Sequence, residues 1–147
     1  MATEAACTIE LANEIDEIQR MIAAIEEFGE RHAVPEAVVG HFVLSLDELV
    51  TNVISYGYPD RSSRIILVSL RLDAQERLIA ELIDDGVPYD PLQTPPPDLD
   101  ADLDDRPIGG LGVHIVKTLM DSVEYRRDGD RNCVTLTKAL TRTRSDA

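Results

Sequence analysis

The sequence is poor in aromatic and basic residues, and these shortages limit what the protein can bind. Tryptophan is absent, aromatic residues make up 4% of 147 residues, and 14 Lys and Arg stand against 28 Asp and Glu. Nucleic-acid binding requires a basic face, so a net charge of −14 argues against nucleic acid as the main partner. The acidity suits a partner with a basic surface, although it also serves solubility alone.

Long apolar runs and cysteine clusters are absent as well. No run of about 18 apolar residues occurs, so no membrane span is expected. The first residues lack the basic segment and apolar core of a signal peptide. Cys7 and Cys133 are spaced neither as metal ligands nor as a disulfide framework. We therefore expect one cytoplasmic domain over residues 1–147, with its core at about 8–140.

Hydrophobic periodicity divides the chain into helices and strands. Apolar residues three and four apart predict helices over 13–32, 35–56 and 111–120. Asn13 is expected to be the N-cap of the first helix. Alternating apolar residues predict strands at 8–11, 65–72, 78–83, 122–126 and 132–140. The strands at 65–72 and 78–83 are close enough in sequence to form an antiparallel hairpin.

The composition changes sharply after this hairpin. Six of the eight prolines fall between Pro88 and Pro107, and aspartates crowd the stretch from Asp98 to Asp105. Such a segment packs poorly against a core, and long loops inside compact domains often cover functional sites. We expect a mobile lid over about 88–110.

Glu48 and Asn52 form the first of three short polar elements that stand beside apolar runs. They are four residues apart on one predicted helix and therefore share a face. An ordinary solvated stripe would look the same. Magnesium chemistry is the alternative, because an amide oxygen ligates this hard cation while a carboxylate polarises a hydroxyl group or water.

The other two elements lie at a strand end and at a helix start. Asp84 can accept a hydrogen bond from an exocyclic amine such as that of adenine, and Gly86 lets backbone approach a ring. A plain turn is equally consistent with D-D-G. The run Gly109-Gly110-Leu111-Gly112 offers backbone N–H groups for phosphates at a helix N-terminus. A flexible hinge would look similar.

Together these motifs resemble the ATP-binding domain shared by gyrase, heat-shock chaperones, histidine kinases and mismatch-repair proteins, the GHKL superfamily. E-L-V-T-N is similar to its N box, D-D-G to its first glycine box, and G-G-L-G to its second. Within the superfamily, D-E-L-V-T-N-V-I-S-Y-G-Y, D-G-V-P-Y-D-P and G-G-L-G-V-H-I-V-K-T-L-M-D resemble the small anti-sigma serine kinases of bacterial partner-switching systems. No dimerisation-phosphoacceptor segment precedes the match in this sequence, so an ordinary sensor histidine kinase is not expected.

The resemblance implies a fold and a role for each motif residue. The fold would be a two-layer α+β sandwich of the Bergerat type, with a mixed, mostly antiparallel sheet and helices on one face. Glu48 would be the general base, and Asn52 would ligate Mg²⁺. The ATP-binding residues would be Asn52, Asp84, Gly86, Gly110, Gly112 and, through a water-mediated adenine contact, Thr135. Arg106 lies further from the glycine cluster than the arginine of the kinase members.

The resemblance also implies a function. The chain would be an ATP-dependent anti-sigma factor serine/threonine-protein kinase that sequesters a sigma factor and phosphorylates a small antagonist protein, and it would act as a homodimer. The alternative is a non-catalytic ATP-binding module that sequesters a partner without phosphoryl transfer. The presence of Glu48 favours the kinase, because a pure binding module has no use for a base there.

Overall fold

Five strands form one antiparallel sheet, and the helices pack against one of its faces. The computed structural model of the chain describes residues 6–93 and 110–141. The strands, in the spatial order β1-β2-β3-β5-β4, are β1 (Ala6–Ala12), β2 (Ile65–Leu72), β3 (Arg77–Asp84), β4 (Ser122–Asp128) and β5 (Arg131–Ala139). The helices are α1 (Glu17–Arg31), α2 (Glu36–Tyr56) and α3 (Gly110–Leu119), with a short 3₁₀ turn at Pro91–Gln93. The predicted two-layer fold is confirmed, with every described strand pair antiparallel.

Alternation along the strands builds the core. In β2, Ile66, Val68 and Leu70 are fully buried beneath the helices, whereas Ile65 is 55% exposed on the other face. The register carries this division across the sheet, since Leu70 pairs with Ala80 of β3 and Ala80 pairs with Leu136 of β5. Burying such aliphatic side chains stabilises the fold by about 1.5–3 kcal/mol each.

The helix α2 supplies the middle of the helical layer. Among the described residues it is the one helix long and apolar enough, by length and composition, to cross a membrane, with a mean hydropathy of 1.4. Phe42, Leu46 and Val50 on one of its faces are fully buried against the sheet. Core packing therefore accounts for its apolar composition.

Asn13 does not cap the first helix, and that prediction is wrong. The helix begins at Glu17, and its N-cap residue Asp16 makes no side-chain capping bond. The backbone N–H of Asn13 instead pairs with the Arg64 carbonyl, so the residue extends the β1–β2 ladder. Its side chain donates from Nδ2 to the Ser62 carbonyl at 2.9 Å and accepts from the Arg64 N–H at 3.0 Å.

This bridge gives Asn13→Asp a different outcome from that of a capping residue. Aspartate caps helices as well as asparagine, but it lacks the N–H that Ser62 accepts and places a carboxylate against a carbonyl oxygen. We expect Asn13→Asp to lower the free energy of unfolding by about 1–3 kcal/mol, measured by urea denaturation. The control is Glu14→Gln, an exposed neighbour. Equal stability of Asn13→Asp and the parent would restore the capping interpretation.

Candidate functional site

A small cavity lies between the C-terminal half of α2 and the adjoining ends of β3 and β5. Its volume is about 90 Å³, and its apolar walls include Leu49, Val53, Leu82 and Val134. Its polar groups come from Asn52, Asp84 and Asn132, each of which is at most 6% exposed. Polar side chains this deeply buried need hydrogen-bond partners, so their contacts show which atoms are left for a ligand.

Asp84 presents one satisfied and one available carboxylate oxygen. Its Oδ1 accepts from the Gly86 N–H at 2.8 Å and from Nδ2 of Asn132 at 3.0 Å. No donor within the described residues reaches its Oδ2. This geometry leaves one acceptor at the cavity for an incoming N–H group, which agrees with the role expected of Asp84.

Burial raises the pKa of Asp84 above its ordinary value, because desolvation penalises the charged form. The hydrogen bonds from Asn132 and Gly86 oppose this effect, and the nearby charges of Asp85 and Arg127 act in opposite directions. The two donors therefore help to keep a buried carboxylate ionised and able to accept a hydrogen bond.

Gly86 stands where two backbone segments cross. A Cβ added at Gly86 would lie 2.6 Å from the Gly57 carbonyl oxygen and 3.0 Å from Oδ1 of Asp84. The same Gly57 oxygen accepts from the Val87 N–H at 2.9 Å, which joins the end of α2 to the chain leaving β3. A side chain at position 86 would break this crossing. Glycine is thus required by packing as well as by the expected approach to a ring.

The sequence motifs did not predict a functional role for Asn132. It pairs with Asp84 across the β3–β5 ladder, and its side chain also contacts the segment that follows Asp84. A polar residue facing the core at a strand start was the available signal. Its partner could not be identified without knowing the register of two strands that are distant in sequence.

Glu48 and Asn52 lie together on α2, as predicted. Nδ2 of Asn52 is 3.5 Å from Oε1 of Glu48, at the outer limit for a hydrogen bond. With the amide in this orientation, Oδ1 of Asn52 has no partner among the described residues. Burial raises the pKa of the Glu48 carboxyl, the Asn52 hydrogen bond lowers it, and the neighbouring Asp47 charge raises it further.

The first turn of α3 packs directly on Glu48. A Cβ added at Gly112 would overlap the Glu48 carboxyl group, so a side chain at this position would displace that flexible group. Gly110 is the first residue of α3, and the two glycines therefore stand at the N-terminal end of a helix, where backbone N–H groups favour anions. Gly109 and Arg106 lie outside the described residues.

Thr135 is not part of this arrangement, and its predicted place in the pocket is wrong. Thr135 lies in β5 and pairs with Glu81 of β3 on one side and with Glu124 of β4 on the other. These residues share the sheet face away from the helices, whereas the adjacent Val134 lines the cavity. Successive side chains of a strand point to opposite faces. Thr135 therefore faces away from the cavity that its neighbour Val134 lines.

The residues around Glu48 fit Mg²⁺ only if phosphates and waters supply most of its ligands. Among the described residues there is no group of three or more His, Cys, Asp and Glu that could hold a metal ion. Mg²⁺ at nucleotide sites usually has one or two protein ligands, the rest being phosphates and waters. The unpartnered Oδ1 of Asn52 fits that pattern as a single ligand.

Most of the predicted lid, 94–109, lies outside the described residues. The two segments that flank it contact each other, since Nζ of Lys117 in α3 donates to the Leu92 carbonyl at 3.3 Å. Pro91 is buried at the cavity wall. The lid interpretation itself stays a prediction.

Comparison with known proteins identifies a matching family and related kinases. A family model described as the histidine kinase-like ATPase domain matches residues 11–138. The serine/threonine-protein kinase BtrW of Bordetella bronchiseptica is 33% identical over 98 residues, which cover 65% of this chain and 68% of that protein. The serine-protein kinase RsbW of Bacillus cereus is 28% identical over 104 residues, covering 67% of this chain and 62% of that protein.

Solved structures agree in fold. The structure of the RsbU and RsbW domains of Rv1364c from Mycobacterium tuberculosis matches with a TM-score of 0.68 at 19% identity, covering 95% of this chain and 33% of that one. The histidine kinase domain of a blue-light activated histidine kinase from Erythrobacter litoralis gives 0.56 at 22% identity, covering 86% and 60%. At these identities the matches show the fold alone.

The contact between Gly112 and Glu48 can be tested with a pair of glycine substitutions. Gly112→Ala should push the flexible Glu48 carboxyl aside, costing about 1–3 kcal/mol of stability and lowering its pKa toward the ordinary value as water reaches it. Gly40→Ala is the control, because its Cβ would meet nothing within 4 Å and should stabilise α2 by roughly 0.5–1 kcal/mol. Carboxyl NMR titration and urea unfolding measure both effects. An unmoved Glu48 titration would contradict the contact.

A second prediction follows from the raised pKa of Asp84. The folded state holds this proton more tightly than the unfolded chain, so stability is lost as pH rises from the ordinary carboxyl range through the folded pKa. Asp84→Asn removes that loss. The free energy of unfolding of the variant, minus that of the parent, should therefore increase between about pH 4 and pH 7. The control is Asp130→Asn at an exposed turn. A difference that does not change with pH would show that burial of the Asp84 charge costs nothing.

Proposed function

The chain belongs to the histidine kinase-like ATPase domain family, and from this membership and its site geometry we propose that it is a partner-switching serine/threonine-protein kinase. In this proposal it binds ATP with Mg²⁺, holds a sigma factor inactive and phosphorylates a small antagonist of that inhibition. Its relatives BtrW and RsbW are named serine/threonine- and serine-protein kinases.

One observation carries the proposal: an acceptor for a base and a candidate proton acceptor stand on adjoining parts of one site. Asp84 lies at the cavity between α2 and the sheet, and Asn52 lines the same cavity. Glu48 is one helical turn from Asn52 and lies under the start of α3. This arrangement can bind a nucleotide by its base and direct its phosphates toward the carboxylate.

The protein's own contribution to transfer would be positioning and proton acceptance. Mg²⁺, when bound, neutralises charge on the phosphates. Oδ1 of Asn52 would hold the ion, and the N-terminal end of α3 would favour the phosphates. The Glu48 carboxylate would accept the proton of the attacking serine hydroxyl, and its raised pKa makes it a stronger base than an exposed glutamate.

The surface gives a physical basis for the proposed partners. A net charge of −14 would favour the approach of proteins with basic surfaces at low salt. The sheet face without helices carries Ile65, Leu67 and Ile83, which are exposed or partly exposed. The same face also carries the Arg126–Glu81 ion pair, so the proposed homodimer rests on the family resemblance.

The alternative function is a module that binds ATP and sequesters its partner without phosphoryl transfer. Glu48 weighs against it. A binding module would gain stability by replacing this half-buried carboxylate with an uncharged residue, because its charge is poorly compensated by the weak contact with Asn52.

Two substitutions on α2 separate binding from transfer. Glu48→Gln keeps the shape beneath Gly112 but cannot accept a proton, so phosphate transfer should fall by about 10²–10⁴ while ATP affinity changes by about twofold or less. Asn52→Ala removes the proposed metal ligand and should impair both. Glu36→Gln, the same change at an exposed position on the same helix, is the matched control. Transfer is measured with labelled ATP and an antagonist protein, and binding by calorimetry.

Each result has a distinct consequence. If Glu48→Gln transfers phosphate at the parent rate, the base is another residue. If the parent binds ATP and its partner but transfers nothing, the sequestering module is the correct function.

A further inference from the structure

We infer that Asn132 is a specificity-determining positioning residue, which fixes Asp84 as a hydrogen-bond acceptor and thereby selects a base that carries an exocyclic amine. This inference rests on the proposed function, because it concerns the nucleotide site described above. Neither the sequence motifs nor the general likeness to ATPases assigns a role to this residue. Its four hydrogen bonds supply the reason.

The contacts of Asn132 determine which end of its amide faces Asp84. Its Oδ1 accepts from the Tyr89 N–H at 3.2 Å and from the Tyr125 hydroxyl at 2.6 Å. Its Nδ2 donates to the Val87 carbonyl at 2.9 Å and to Oδ1 of Asp84 at 3.0 Å. A backbone N–H can only donate and a carbonyl can only accept, so the reverse orientation would mismatch both backbone groups. The amide cannot turn without breaking these bonds.

This fixed donor, together with the Gly86 N–H, saturates one oxygen of Asp84. Two N–H groups pointing at Oδ1 stabilise an ionised carboxylate, which has acceptors only. The remaining oxygen, Oδ2, is therefore presented as an acceptor. It complements the amine of adenine and is mismatched with the carbonyl oxygen that hypoxanthine carries at the same ring position. Asn132 would select the base without touching it.

The same four bonds attach this acceptor to the pocket rim. Val87 and Tyr89 flank Pro88 on the segment leaving β3, and Tyr125 belongs to the edge strand β4. Tyr125 thus contacts the Asn132 oxygen and not the nitrogen that serves Asp84. It provides a control for purely structural effects, because Tyr125→Phe removes one bond of the network without changing the donors to Asp84.

The experiment compares ATP with inosine triphosphate, in which a carbonyl oxygen replaces the exocyclic amine and the neighbouring ring nitrogen N1 carries a proton. Affinities for both, with Mg²⁺, are measured by calorimetry on the parent and on three variants. The parent should prefer ATP by about tenfold or more. Asn132→Asp keeps the acceptor for Tyr89 and Tyr125 but removes the donors to Val87 and to Oδ1 of Asp84 and places a second carboxylate there, so nothing fixes Asp84 as a charged acceptor. The preference for ATP should then fall at least about tenfold.

Asp84→Asn gives a second, independent test. The substitution removes a buried charge, so the variant should fold. Two donors still point at the Oδ1 position, so the amide introduced at position 84 must place its oxygen there and its NH₂ at the position of Oδ2. The variant should bind inosine triphosphate more tightly than ATP. Tyr125→Phe should lower stability while leaving the ratio of the two affinities within about twofold of the parent.

The outcomes separate the inference from the function on which it rests. A parent that binds neither nucleotide overturns the proposed function, and the inference with it. A parent that prefers ATP, with an unchanged ratio in Asn132→Asp, overturns the inference alone and leaves Asn132 a structural residue. If Asn132→Asp does not fold, Asp84→Asn decides: a variant that still prefers ATP overturns the inference.

Discussion

The site depends on keeping one carboxylate charged at the buried end of a strand. Asp84 ends β3 on the core face of the sheet, where a charge without partners would cost several kcal/mol. Two features elsewhere in the chain reduce that cost. The register of β3 with β5 brings Asn132 opposite it, and the turn after Asp84 brings the Gly86 N–H to the carboxylate. The close approach of Gly57 to Gly86 then fixes α2 against this turn, which positions the rest of the cavity.

The helix α2 combines two requirements on opposite faces. One face supplies Phe42 and Leu46 to the core, and the other carries Glu48 and Asn52 toward α3 and the cavity. This double use explains why its composition resembles that of a membrane span while polar residues recur along it. Ser45 marks the boundary, since its hydroxyl is buried without a hydrogen-bond partner in the described residues. Such a group costs about 1–3 kcal/mol.

Local sequence patterns predicted the helices and strands well. Residues whose role depends on a distant strand partner were not predicted. The hairpin of β2 and β3 and the extent of α2 follow from periodicity within each segment, and Glu48, Asn52 and Asp84 follow from motifs on those segments. The predictions for Asn13 and Thr135 were wrong, and Asn132 was overlooked, for one shared reason. The role of each depends on a strand partner far away in sequence, and a shift of one residue moves a side chain to the other face of the sheet. Thr135 and Val134 illustrate this, because only the second faces the cavity.

The site's two carboxylates, buried Asp84 and half-buried Glu48, differ in how completely their charges are compensated, and this difference suits different tasks. Burial raises both pKa values. Asp84 is held by two good donors at 2.8 and 3.0 Å, so its charge is fixed in direction, which suits the proposed recognition of a base. Glu48 has one weak contact at 3.5 Å and lies beside a glycine that leaves it room. A carboxylate with raised basicity and few competing donors can accept a proton from a bound hydroxyl with little loss of existing bonds. The same fold thus provides a fixed acceptor, from the sheet, for the proposed binding and a loosely held one, from the helical layer, for the proposed chemistry.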